Sequence, residues 1–137
     1  MENSNHKEVF ATKVRIYYED TDSGGVVYYA NYLKYYERAR TEYLRVFNFN
    51  QSILKREKNL VFAVSEINVN YNKPLFLDDV IKVTCSIEKI SKTSINFVQK
   101  ITNQDDIDIS SALCKIVCLN ENFKPTKIPD VIADKIV

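Results

Sequence analysis

A single long helical period, with strand patterning on both sides of it, restricts this chain to a sheet carrying one principal helix. Tyr29, Tyr32, Tyr36, Ala39, Tyr43 and Val46 recur at intervals of three and four, flanked by Leu33, Leu44 and Phe47. Lys34, Arg38, Thr41 and Arg45 form the opposite, polar stripe, so a helix of about five turns is predicted from near Asn31 to Phe47. Before it, Thr12 to Tyr18 alternate as a strand, with Val14, Ile16 and Tyr18 on one face. After a polar connection, Asn48 to Asn59, Phe62 and Val64 share one parity whereas Ile67, Val69 and Tyr71 share the other. That change of parity predicts a long strand with a bulge or bend near Ser65-Glu66. Pro74 then interrupts the ladder, and Val80 to Ile90, Thr93 to Thr102 and Ile107 to Leu119 read as three more strands. Pro125 and Pro129 mark a trailing segment without a long period. The expectation is an α+β fold: an antiparallel five-stranded sheet, its last four strands a meander, wrapped around a long central helix.

A chain of 137 residues fits one domain, 1–137, with a polar N-terminal tail over about residues 1–10. Its net charge of +1 supplies no basic field for nucleic acid. The sequence has neither an apolar leader core nor a run of about eighteen apolar residues, so cytoplasmic location without membrane insertion is expected. Nine Tyr suit surfaces that are half apolar and half polar, which points to self-association. Cys85, Cys114 and Cys118 are odd in number, lack a CxxC pair and fall in strand-like runs, as reduced, buried thiols would. The only histidine is His6, in the tail, which argues against Ser-His-Asp, Cys-His and imidazole-bound zinc chemistry. Carboxylates, hydroxyls and backbone amides are left to carry any reaction.

Those groups converge on one turn. Glu19 to Gly25 gathers turn formers, and both glycines of the chain, Gly24 and Gly25, stand there together. Asp22 has two readings: a turn residue that bonds its own backbone, or a carboxylate beside the unpaired, partly positive amides of the following helix. Gly24 and Gly25 permit positive φ and close approach of a substrate carbonyl, and equally make a tight turn. Glu37 and Arg40 or Thr41 are helical neighbours and fit a solvated or interfacial pair.

The run from Tyr17 to Arg40, YYEDTDSGGVVYYANYLKYYERAR, closely resembles the signature of YbgC-type thioesterases in the 4-hydroxybenzoyl-CoA thioesterase branch of the hot-dog superfamily. The resemblance continues less sharply through Tyr71-Asn72-Lys73-Pro74 and the strands beyond. It implies the hot-dog fold and hydrolysis of an acyl-CoA thioester without metal or organic cofactor. In that pattern Asp22 attacks the thioester carbonyl or activates water, the backbone N–H at Tyr29 supports the oxyanion, and Tyr18 lines the site. Gly24, Gly25 and Val26 become substrate-binding positions, and Lys89, Ser91 and Lys92, with Ser94 nearby, lie where the family gathers phosphate contacts. Many YbgC-type sequences carry histidine where this chain has Tyr29, so imidazole-assisted proton transfer is removed here. Some hot-dog thioesterases place the base on the helix, which makes Glu37 the alternative to Asp22. The resemblance further implies a homodimer, or a homotetramer of two dimers, with the acyl slot between subunits. Acyl carrier protein is implied as a further partner, and a weakly active binding protein associated with the Tol-Pal system is the rival reading. A hot-dog hydratase is disfavoured because its His-plus-carboxylate pattern is missing.

Overall fold

The computed structural model describes residues 10–136; His6 and the polar tail before Phe10 lie outside the described residues. Five strands form one antiparallel sheet: β1 (Phe10–Arg15), β2 (Val61–Tyr71), β3 (Val80–Ile90), β4 (Ser94–Thr102) and β5 (Asp108–Leu119). The helices are α1 (Asn31–Val46), α2 (Gln51–Lys58) and α3 (Asp130–Ile136).

Strand order is β1-β3-β4-β5-β2, which corrects the expected four-strand meander. Only β3, β4 and β5 follow one another as neighbours, while β2 pairs with β5 at the far edge. The chain therefore crosses the end of the sheet between Tyr71 and Val80. Hydrogen bonds hold this crossing segment along its length. Asn72 and Lys73 N–H both donate to Ile109 O, and Val27 and Ile16 N–H donate to Leu75 O and Asp79 O. The predicted bulge in β2 occurs, with the register shifting between Val64 and Glu66.

The α1 helix lies against the sheet because one of its stripes is almost wholly non-polar. Tyr32, Tyr36, Ala39 and Tyr43 are buried as their spacing predicts, joined by Tyr35 and Leu44, whereas Tyr29 and Val46, at the two ends of the stripe, are exposed. Tyr43 packs edge-on against Phe97 of β4 and Phe10 of β1. Facing it, β3 buries Ile81, Val83 and Cys85, and β4 buries Ile95, Phe97, Gln99 and Ile101, each at a spacing of two. All three cysteines are free and buried, and loss of solvation pushes the Cys85 thiol up to about 12.

Polar side chains fix where α1 sits on this surface. The Tyr36 hydroxyl bonds Ser110 Oγ at 2.6 Å. Arg40 donates to Gln99 Oε1 at 2.9 Å, and Gln99 Nε2 donates to Tyr36 O at 3.0 Å. Arg40 was expected in a solvated or interfacial pair with Glu37, yet only 6% of it is accessible. Gln99→Ala removes one acceptor from a buried cation and one donor from a buried carbonyl, so a loss of about 2–3 kcal/mol is expected in urea unfolding.

Two short helices depart from the sequence reading. The polar connection contains α2, started by Asn50, whose side chain accepts from Ser52 N, and stopped by Asn59 in the left-handed conformation at φ 55°. Leu54 is its one buried residue, too little for a readable period. In the trailing segment α3 follows Pro129 and buries Ile132 and Ile136, one turn apart.

Candidate active site

The strand expected to run to Tyr18 stops at Arg15. Ile16 still bonds the crossing segment, donating to Asp79 O and accepting from Asp78 N. At Tyr17 the backbone N–H is then taken by the Asp20 carboxylate at 2.8 Å, and Tyr18–Asp20 form a single 3₁₀ turn. This turn swings Tyr18 out of line with Val14 and Ile16. The expected core face loses it, and Tyr18 is 81% exposed.

A small hairpin follows, with Thr21 bridged to Val27 and Asp22 N–H donating to Val26 O at 2.9 Å. Gly25 closes it with φ of 82° and donates to Asp22 O at 3.0 Å. Asp22 Oδ1 accepts from Gly24 N–H at 2.8 Å, the local bond that an ordinary turn aspartate makes. Among the described residues Oδ2 has no such partner, and the side chain is exposed. One carboxylate oxygen is thus oriented while the other is open. A Cβ on Gly24 would meet Oδ1 at 3.2 Å, so the carboxylate leans over this glycine.

The hairpin hands the chain directly to α1. Val26 bridges Phe76 and Val27 N–H donates to Leu75 O, so the crossing segment supports the second arm. Asp20 O accepts from Tyr28 N–H at 3.2 Å and from Asn31 Nδ2 at 2.9 Å, which ties the helix start to the turn. Asp20 and Asn31 were not singled out from sequence, although both lie in the signature run. The Asp20 carboxyl also lies near Tyr35. Burial first, and that carboxyl second, raise the Tyr35 hydroxyl's pKa, and the hydroxyl makes no hydrogen bond of good geometry among the described residues.

Helix α1 has no side-chain N-cap. The Tyr28 carbonyl accepts Asn31 N–H at 2.9 Å and so points along the helix. Peptide planarity sends the N–H of Tyr29, in the same trans unit, the opposite way. Among the described residues no acceptor meets that N–H. An outward, unpaired amide at the positive end of a helix suits a developing negative charge.

The Tyr29 phenol does not join the core stripe and is 62% exposed. Its ring lies 4.8 Å from that of Tyr28 and 6.1 Å from that of Tyr71. Turn and helix start therefore bring Asp22, Gly24, Gly25, Val26 and Tyr29 onto one continuous segment, with Tyr18 just ahead of it.

Lys89, Ser91 and Lys92 are exposed but sit around the β3–β4 hairpin. The Asp22 turn rests on the crossing segment that leads into Val80, at the other end of β3. Ten residues of strand separate the two ends by roughly 30 Å, so one chain does not unite them. Ser94, beside them in sequence, is buried. Glu37 accepts from Thr41 Oγ1 at 2.5 Å, the helical-neighbour contact expected of it. It lines a cavity of about 110 Å³ with Arg40, Thr41 and Gln51, against Phe62 and Val64 of β2, away from the turn. Among the described residues no three His, Cys, Asp or Glu side chains group as a metal site, and no helix is long and apolar enough to cross a membrane.

Residues 16–136 match the family model described as the thioesterase-like superfamily. Over 125 residues the chain is 41% identical to the acyl-CoA thioester hydrolase YbgC of Escherichia coli O6:H1, covering 90% of this chain and 92% of that one. It is 40% identical over 121 residues to the acyl-CoA thioesterase YbgC of Haemophilus influenzae, covering 88% of each. Among solved structures, a probable thioesterase from Bartonella henselae superposes with a TM-score of 0.84 at 30% identity, over 88% of this chain and 99% of that one.

Proposed function

Since this chain belongs to the thioesterase-like superfamily, we propose that it hydrolyses acyl-CoA to a free acid and CoA, with Asp22 as its catalytic carboxylate and the Tyr29 N–H as its oxyanion donor. The observation that supports this most is the pairing of two open groups on one short segment. Among the described residues Asp22 keeps Oδ2 free while Gly24 N–H steadies Oδ1, and the Tyr29 N–H, likewise without an acceptor, points out of the helix start.

The chemistry follows from those two groups. Either Asp22 attacks the thioester carbon, giving an anhydride that water then opens, or it takes the proton of a water that attacks directly. In both routes the carbonyl oxygen gains negative charge, which the Tyr29 N–H stabilises. Collapse expels the CoA thiolate, a good leaving group that needs no strong acid. One such oxyanion donor contributes about 3–4 kcal/mol of transition-state stabilisation. Gly25, at φ 82°, sets the hairpin that carries the carboxylate, and the exposed phenols of Tyr18 and Tyr29 lie beside the bound acyl thioester.

The working enzyme is a homodimer or a homotetramer in the cytoplasm. Among the described residues edge strands β1 and β2 offer unpaired backbone groups, and a two-fold pairing of either edge reverses the sheet end for end. A second copy then brings its Lys89, Ser91 and Lys92 toward the end that holds Asp22, where they contact the phosphates of CoA. Acyl carrier protein is an alternative donor of the same thioester.

A panel of short, long and aromatic acyl-CoAs on purified protein tests the reading. At least one member should be hydrolysed stoichiometrically to free thiol and acid. Silence across the panel from folded protein would instead favour a binding role.

A further inference from the structure

Tyr71, the last residue of β2, lies 42 positions from Tyr29 in sequence, yet its hydroxyl donates to Tyr29 O at 3.1 Å. From this geometry we infer that Tyr71 is a positioning residue for the reaction, aiming the Tyr29 amide without touching substrate; the inference rests on the proposed role of that amide.

The aim of the Tyr29 N–H depends on two peptide planes that meet at the Tyr29 Cα. The first, Tyr28–Tyr29, is held by Asn31 N–H on its carbonyl. The second, Tyr29–Ala30, receives from its own helix end the bond of Tyr32 N–H, three residues on, at 3.3 Å, longer than the usual ~2.9–3.0 Å and correspondingly weak. Tyr71 supplies the missing constraint on this second plane by filling the other lone pair of the same carbonyl. With both planes held, rotation about the bond that carries the N–H is restricted from each side.

Tyr71 is itself well anchored for this task. It pairs with Ser110 in β5, and the next two N–H groups, of Asn72 and Lys73, both donate to Ile109 O. Its ring stands edge-on to Tyr32 at 4.9 Å and to Tyr29 at 6.1 Å, so the rings fix its direction before the hydroxyl bonds. Tyr32 is buried and provides a firm wall. Partial burial, and after it the neighbouring Tyr29, raise the pKa of the Tyr71 hydroxyl above its ordinary value.

Tyr71→Phe retains both ring contacts and deletes only the hydrogen bond. On an acyl-CoA that the enzyme turns over, kcat should fall about tenfold, since small misplacements of catalytic groups carry large rate penalties. KM and the inhibition constant of free CoA should stay within about twofold and the melting temperature nearly unchanged. Unchanged kcat would overturn the inference. So would a loss matched by weaker CoA inhibition or by a fall in melting temperature, because either assigns Tyr71 to binding or to stability. Asp22→Asn, assayed in parallel, separates the two levels. An inactive Asp22→Asn beside a normal Tyr71→Phe removes this inference alone, whereas a fully active Asp22→Asn removes the proposed role of Asp22 and leaves this inference to stand or fall on the Tyr71→Phe kcat.

Discussion

Asp22→Asn should bind acyl-CoA and fold normally while its turnover falls about 10²- to 10⁴-fold, the range typical for loss of a general base or nucleophile. The folded state has little to lose. Asp22 is exposed, and an asparagine Oδ1 can still accept from Gly24 N–H, so the hairpin keeps its local bond. Only the negative charge and the basic lone pairs of Oδ2 disappear. The check is steady-state hydrolysis beside a thermal melt and a CoA-binding titration. Near-normal turnover would shift the role to Glu37, and Glu37→Gln would then be the decisive variant. The structure gives Glu37 a different occupation, however. It accepts from Thr41 and lines a cavity against β2, not against the turn.

Local patterns in this chain were readable where one element buries one face. The α1 stripe and the β2 bulge came from spacing, because burial against a single surface imposes a period on the sequence, whereas β3 and β4 came from runs rich in Val, Ile, Thr and Phe between polar breaks. Strand order did not, since the crossing between Tyr71 and Val80 is held largely by long-range backbone bonds to Ile109, Val27 and Ile16, which leave no local pattern in the sequence. Tyr18 misled for a related reason. Its alternation with Val14 and Ile16 is real in the sequence, but the Asp20 carboxylate takes Tyr17 N–H and turns the chain one residue earlier. Arg40 sits on the buried face because Gln99, 59 positions away, satisfies it, and no local pattern announces such a partner. The same applies to Tyr71 and the Tyr29 carbonyl. The candidate site was legible as a list of residues in one signature run; the support beneath it was not, because that support is long-range hydrogen bonding.

Gly25→Val should abolish most activity, by about 10²-fold or more, at only a modest cost in stability. At φ 82° a β-branched residue is strained by roughly 1–3 kcal/mol. Among the described residues a Cβ there meets nothing within 4 Å, so the penalty is conformational and not a clash. The exposed hairpin can relax by changing its backbone, and that relaxation moves Asp22, which is bonded through its carbonyl to Gly25 N–H and through its N–H to Val26 O. Gly25→Asn distinguishes the two tasks open to this glycine. Asparagine tolerates positive φ, so it should retain most activity if conformation is the requirement. A folded but inactive Gly25→Asn would show that substrate needs bare backbone at this point. Tyr29→Phe completes the set by keeping the amide and deleting the phenol. It should stay within about threefold of normal turnover, because the proposed mechanism assigns the oxyanion contact to the backbone. Assaying all three on one hydrolysed acyl-CoA, with melts as the folding control, sorts the outcomes. A fully active Gly25→Val reduces the glycine to an ordinary turn, and an inactive but folded Tyr29→Phe transfers the catalytic contact from the Tyr29 N–H to its hydroxyl.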